Sequence, residues 1–122
     1  MPKFIIPGNP MGKPRMTRRD KWKQRPCVVR YRAYADLLRD YVGIIECSGT
    51  VDWTAYFEMP KSWSKKKKAE YQGEPHQQRP DRDNIDKGIL DALFGDDSIV
   101  WDGRMRKFWD DGNGPRLELW IQ

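Results

Sequence analysis

Sulfur and imidazole are scarce in this chain: 122 residues hold two cysteines and one histidine. Cys27 and Cys47 lie far outside any Cys-x-x-Cys spacing, so they encode neither a disulfide framework nor a zinc site. Long apolar runs are missing as well. No stretch approaches the roughly 18 apolar residues of a membrane-spanning helix. The opening MPKFIIPGNP lacks the apolar core and small-residue cleavage site of a secretory signal. Free thiols, no spanning segment and no signal together predict a cytoplasmic protein with no membrane partner. Negative charge is nearly absent from the first 32 residues, where ten lysines and arginines face one acid, Asp20. Of the chain's 23 basic and 18 acidic groups, 13 and 17 are therefore left to residues 33–122. A basic arm beside an acidic region points to a polyanionic partner, nucleic acid foremost, although a solubilising surface has the same composition.

What is present is bulky core material. Six Trp, five Tyr and four Phe exclude a disordered chain, and the length suits one domain, 1–122. KFIIPG reads as a first strand closed by Pro-Gly. Residues 9–26, rich in Pro, Gly and cations, read as an extended, mobile arm. In VVRYRAYADLLRDYVGII, residues Tyr31, Tyr34, Leu38, Tyr41 and Val42 recur at helical spacing. TVDWTAYFEM alternates, with Val51, Trp53, Ala55 and Phe57 on one face. A short helix over Trp63–Tyr71, capped by a serine, carries Lys65–Lys68, a solvated face or a phosphate contact. A further helix has Asp83 as its N-cap, Asp86 three residues on, an apolar stripe of Ile85, Ile89, Ala92 and Leu93, and Gly95 as its stop. SIVWDGRMRKFW predicts a strand, turning at Asp102-Gly103, and PRLELWI a last one. The order β, α, β, α, α, β, β predicts a small mixed α/β or α+β domain, a mixed sheet with flanking helices.

Six of the 18 acids fall between Asp81 and Asp97, in RPDRDNIDKGILDALFGDDSIV. Asp81 and Asp83 flank a helix start, and Asp96-Asp97 follow its end. A returning chain would bring Asp97 beside the first pair. Carboxylates so gathered repel and raise one another's pKa unless a cation lies between them. A hard divalent cation takes oxygen ligands and keeps water sites open to phosphate. Each acid also has an ordinary structural reading, as cap, first-turn residue or turn. Lys87, one turn after Asp83 and one before Asp91, is either an intrahelical ion-pair partner or a cation placed to stabilise phosphoryl charge. A calcium EF-hand is excluded, because Ile85, Asp86 and Ala92 occupy the positions of a ligand, the turn glycine and the closing glutamate.

HQQRPDRDNIDKGILDAL followed by DDSIV resembles the RusA family of Holliday junction resolvases. Arg79-Pro80-Asp81, Asp83-Asn84, Lys87, Asp91-Ala92-Leu93 and Asp96-Asp97 each match an element of the family pattern. PGNPMGKPRMT resembles the opening of phage-type members. The resemblance implies a RusA-like fold and a homodimeric, metal-dependent endonuclease that cuts four-way DNA junctions by paired nicks in recombination and repair. It implies catalytic roles for Asp81, Asp83, Lys87 and Asp97. It implies Mg²⁺, with Mn²⁺ as alternative, on Asp81, Asp83 and Asp97, Asp96 being a further candidate ligand. His76 and Asn84 also match positions near the motif. Lys13, Arg15, Arg18, Arg19, Lys21, Lys23 and Arg25 of the arm, with Arg79, are candidate DNA-backbone contacts. Trp22 is a candidate wedge at the junction centre, and the Trp-rich strands are candidate dimer surfaces. A DNA-binding protein without catalysis and a nuclease for flaps are the competing readings.

Overall fold

The computed structural model describes residues 2–15 and 25–122. Strand β1 (Lys3–Pro7) is followed by helix α1 (Pro26–Val42), strand β2 (Val51–Phe57), helices α2 (Lys65–Tyr71) and α3 (Arg82–Leu93), a 3₁₀ turn at Asp97–Ile99, and strands β3 (Met105–Trp109) and β4 (Arg116–Ile121). The four strands form one mixed sheet in the order β1-β4-β2-β3. β4 runs antiparallel to both neighbours, with Phe4 opposite Leu119 and Trp53 opposite Leu119 on its other side. β2 and β3 are parallel, Trp53 facing Met105 and Phe57 facing Trp109. The expected α+β class is the observed one.

Alternation decides which sheet face is buried. Val51, Trp53, Ala55 and Phe57 of β2, and Leu117, Leu119 and Ile121 of β4, are buried on one face with Ile6 and Trp109. Helices α1 and α3 cover that face, through Val28, Tyr31, Tyr34, Ala35, Leu38 and Val42 on one and Ile85, Ile89, Leu90 and Ala92 on the other. The opposite face is held by polar and aromatic contacts. Arg116 makes ion pairs with Asp111 (3.0 Å) and Glu118 (2.8 Å) and lies 3.9 Å over the Tyr56 ring.

Several boundaries differ from the sequence reading. Tyr41 is 48% exposed: the burial stripe of α1 runs through Ala35 and Leu38, and Val42 takes the final core position. Helix α2 begins at Lys65, because it is Ser64 whose side chain accepts from the backbone N–H of Lys67 (3.2 Å). Helix α3 begins at Arg82, so Asp81 and not Asp83 occupies the N-cap, and no side-chain cap bond forms. It ends on an extended Phe94, and Gly95 lacks the left-handed conformation of a glycine stop. Residues 98–104 are not a strand. Asp96 caps the 3₁₀ turn, Trp101 points outward at 77% exposure, and β3 starts only at Met105. Among the tryptophans of the strands, Trp53 and Trp109 are buried in the core, which removes both from the candidate dimer surface. The arm at residues 9–15 has no regular structure, and Arg18, Arg19, Lys21, Trp22 and Lys23 lie outside the described residues.

The Arg116 pairing makes a pH prediction. The guanidinium holds the Asp111 carboxyl well below its ordinary 3.8, at about 2. The pairing therefore stabilises the fold fully above about pH 4 and loses that contribution as pH falls toward 2. Arg116→Gln is expected to return Asp111 to the ordinary carboxylate range and remove that part of the acid dependence, read by urea unfolding between pH 5 and 2.

Candidate active site

Because β2 and β3 are parallel, the chain between them must cross back along the sheet. Helix α3 makes that crossing and lays the acid-rich segment beside β3. The register of the contacts shows its direction. Lys107 donates to the Pro80 carbonyl (2.7 Å), and Arg82 Nη1 to that of Met105 (3.4 Å).

The turns of α3 sort its charges. Residues Ile85, Gly88, Ile89 and Ala92 face the core. Asp86 lies at the edge of that face, one turn before the buried Leu90, and Asp83 lies one turn before Asp86, with Lys87 beside Asp83 and Arg82 beside Asp86. Asp86 is half-buried, and its Oδ1 accepts the indole N–H of Trp53 at 3.0 Å. Burial raises its pKa first, the Trp53 bond opposes this, and the charges of Asp83 and Asp97 raise it further. The charge of Asp97 in the 3₁₀ turn thus reaches Asp86 on the helix. The acidic edge it completes consists of Asp83, Asp86 and Asp97. Asp81 is exposed at the N-cap, and its charge acts on Lys107.

Asp86 was read from the sequence as a capping-box residue, and its place in the edge was missed. The available signal was its spacing from Asp83 next to two core isoleucines, which puts it at the boundary of buried and exposed faces. Asp96 turns to its own loop. Its Oδ1 accepts from Ser98 N (3.0 Å) and Ser98 Oγ (2.6 Å), which holds its pKa down. Lys87 makes no ion pair among the described residues, since its expected partner Asp91 pairs with Lys13 instead. Lys13, Arg15, Asn84 and Lys87 line an open pocket of about 530 Å³. The arm reaches α3 through two glycines. A Cβ on Gly12 would stand 2.8 Å from Pro80 Cβ, and one on Gly88 would stand 3.1 Å from the Tyr31 ring and 3.4 Å from Lys13 N. Lys13 N accordingly donates to the Asn84 carbonyl (3.0 Å), and Tyr31 Oη to that of Gly88 (2.8 Å).

Among the described residues no three His, Cys, Asp or Glu side chains stand together as a ready metal cage. The donor types nevertheless suit a hard cation: Asp83 and Asp97 are exposed carboxylates whose charges add to the rise that burial gives the Asp86 pKa.

The family model for the endodeoxyribonuclease RusA matches residues 7–122, nearly the whole chain. The chain belongs to the RusA family. No curated protein and no solved structure matches it. Membership supports an enzyme of the hydrolase class that cuts DNA internally, of the Holliday-junction-resolving kind. No helix among the described residues is long and apolar enough to cross a membrane.

Asp86 gives this RusA-family chain a measurable signature. A carboxyl with a raised folded pKa binds its proton at higher pH than the unfolded chain does, so acidification through that value stabilises the fold. Asp86→Asn keeps an oxygen for Trp53 and removes the charge. In EDTA it is expected to raise the urea midpoint at pH 7 and to abolish the stability gained between neutral pH and pH 4.

Proposed function

We propose that this chain is a divalent-cation-dependent endonuclease that resolves four-way DNA junctions by paired symmetric nicks, acting as a homodimer in DNA recombination and repair. The observation that supports this most is the acidic edge of Asp83, Asp86 and Asp97, next to Lys87, which has no ion pair among the described residues, in a chain of the RusA family. A deoxyribonuclease must approach a polyanion, and an acidic edge opposes that approach unless a cation is held there. Asp81, Asp83 and Asp97 would hold Mg²⁺ or Mn²⁺. When bound, such an ion supplies a water of lowered pKa and a Lewis acid for a phosphoryl oxygen.

The chain's own residues have separable tasks. Asp83 and Asp97 present oxygens from two elements, the first turn of α3 and the 3₁₀ turn. Asp86 stays behind them, fixed by Trp53, and sets the spacing of helix and sheet. Lys87 lies one turn from Asp83 and offers an ammonium to charge developing at the scissile phosphate. Lys13 is engaged with Asp91, so Arg15 and Lys87 are the cations that the adjoining pocket presents to a DNA backbone. Arg18, Arg19, Lys21 and Lys23 extend the basic arm in sequence. Contacts of this kind give affinity without sequence choice. One acidic edge per chain provides one cut, and a two-fold dimer provides the pair that a near-symmetric junction needs.

Cleavage of an immobile four-way junction, beside matched linear duplex and flap DNA, tests the proposal with Mg²⁺, Mn²⁺ and EDTA. Paired nicks confined to the junction and lost in EDTA are expected. Asp83→Asn and Lys87→Met should each cut at least about 100-fold more slowly. Asp83→Asn should bind the junction as well as wild type or better, having lost a negative charge. Tight junction binding with no cut under either metal would instead identify a junction-binding protein, and preferential flap cleavage a nuclease of another branch geometry.

A further inference from the structure

An open pocket of about 580 Å³ lies at the start of α3, lined by His76, Gln78, Arg79, Asp81, Arg82 and Lys107. It holds three cations and one carboxylate, the reverse of the balance along the acidic edge. Its wall is built from the core. His76, the only histidine in the chain, is 6% exposed. Its ring stacks on Phe57 (4.1 Å between centroids) and meets Trp109 edge-on at 4.4 Å. Its backbone N–H donates to the Lys107 carbonyl (3.0 Å). Its Nδ1 has no hydrogen-bond partner.

A buried imidazole nitrogen without a partner costs free energy and calls for a reason. An unpaired acceptor costs less than an unpaired donor, so Nδ1 is left as the acceptor and the ring hydrogen goes on Nε2, in a ring that lines the pocket. Lys107 commits two of its three donors to the carbonyls of Gln78 (2.5 Å) and Pro80 (2.7 Å), which fixes the ammonium and the loop together. Arg79 has no ion pair among the described residues, and Arg82 makes only its long contact with Met105. Two exposed guanidiniums and one held ammonium around a concave site are the chemistry of an oxyanion, and Asp81, one of the proposed cation ligands, lines the same pocket.

We infer that this pocket is a phosphate subsite, separate from the acidic edge, that grips a backbone phosphodiester of the DNA strand next to the bond that is cut. The inference rests on the nuclease reading for the meaning of that neighbour, and its test does not depend on catalysis. Because His76 is the sole imidazole, its ring proton and carbon signals report the pocket without ambiguity. The full chain would be titrated in EDTA by NMR, once with inorganic phosphate and once with a short mixed-sequence oligonucleotide. Saturable shifts of the His76 ring are expected with both, the oligonucleotide binding more tightly. Arg82→Gln and Arg79→Gln should each weaken the oligonucleotide-induced shift about tenfold and lower the slope of log affinity against log salt by about one. Asp83→Asn should leave the shift in place. Oligonucleotide binding without any His76 shift would overturn the inference, as would a shift indifferent to both arginine substitutions. A shift with inorganic phosphate alone would make the pocket a free-anion site and overturn the DNA assignment. A preserved shift in a chain that cuts nothing would uphold the subsite while the nuclease reading fails.

Discussion

Parallel pairing of β2 with β3 cannot be closed by a tight turn. The chain leaves β2 at Phe57 and must travel back before it can enter β3 at Met105. Everything of chemical interest is carried on that return: α2, the loop with His76, α3, and the 3₁₀ turn. The crossover is also what folds a linear run of acids into an edge. Asp83 and Asp97 are separated by three turns of helix and a loop, and both act on Asp86 because the end of the crossover is drawn back toward β2. There Val51 N bonds the Asp102 carbonyl (3.0 Å) and Trp101 N that of Gly49 (3.0 Å). Without the parallel pair the same residues would be a helix cap and a surface turn.

The charges are then sorted by helix geometry. A helix carries one side chain every 100° or so, and four consecutive residues of α3 point in four directions. Arg82 turns toward β3, Asp83 toward solvent, Asn84 toward the arm, and Ile85 into the core. One basic-acidic run in the sequence thereby becomes an acidic edge between two cationic pockets. Positive charge beside the carboxylates counters the repulsion they would otherwise exert on DNA.

Legibility in the sequence followed the length of the pattern. The alternation of β2 and β4 and the helical stripes of α1 and α3 were legible because burial imposes a period on many residues at once. The carboxylates stood out because their spacing matches a family motif. The helix starts were read two residues out at both α2 and α3, since a cap is one hydrogen bond, and Ser62 or Ser64, Asp81 or Asp83, are equal candidates until the loop is placed. Trp101 looked like strand material but is exposed, because the turn capped by Asp96 delays pairing to Met105. Asp86 was misjudged for a different reason. Its partner, the Trp53 indole, is 33 residues away, and no local pattern shows which buried N–H a carboxylate will serve. His76 was legible only as a family match, because its orphaned nitrogen and its aromatic walls are facts of tertiary packing.

Trp53 and Asp86 show how core and site constrain each other. The Trp53 side chain is 1% exposed, and a buried indole N–H needs an acceptor. A neutral acceptor would satisfy it. A carboxylate does so at the cost of desolvating a charge and standing it beside Asp83 and Asp97. The core alone gives no reason to prefer the costlier group. The preference is intelligible if the edge is not meant to remain unneutralised. A cation that binds only the folded chain offsets the repulsion and adds stability in proportion to its occupancy. On that account the same bond that orients α3 over the sheet also keeps the acidic edge under electrostatic tension, so the fold is at its most stable when the site is loaded.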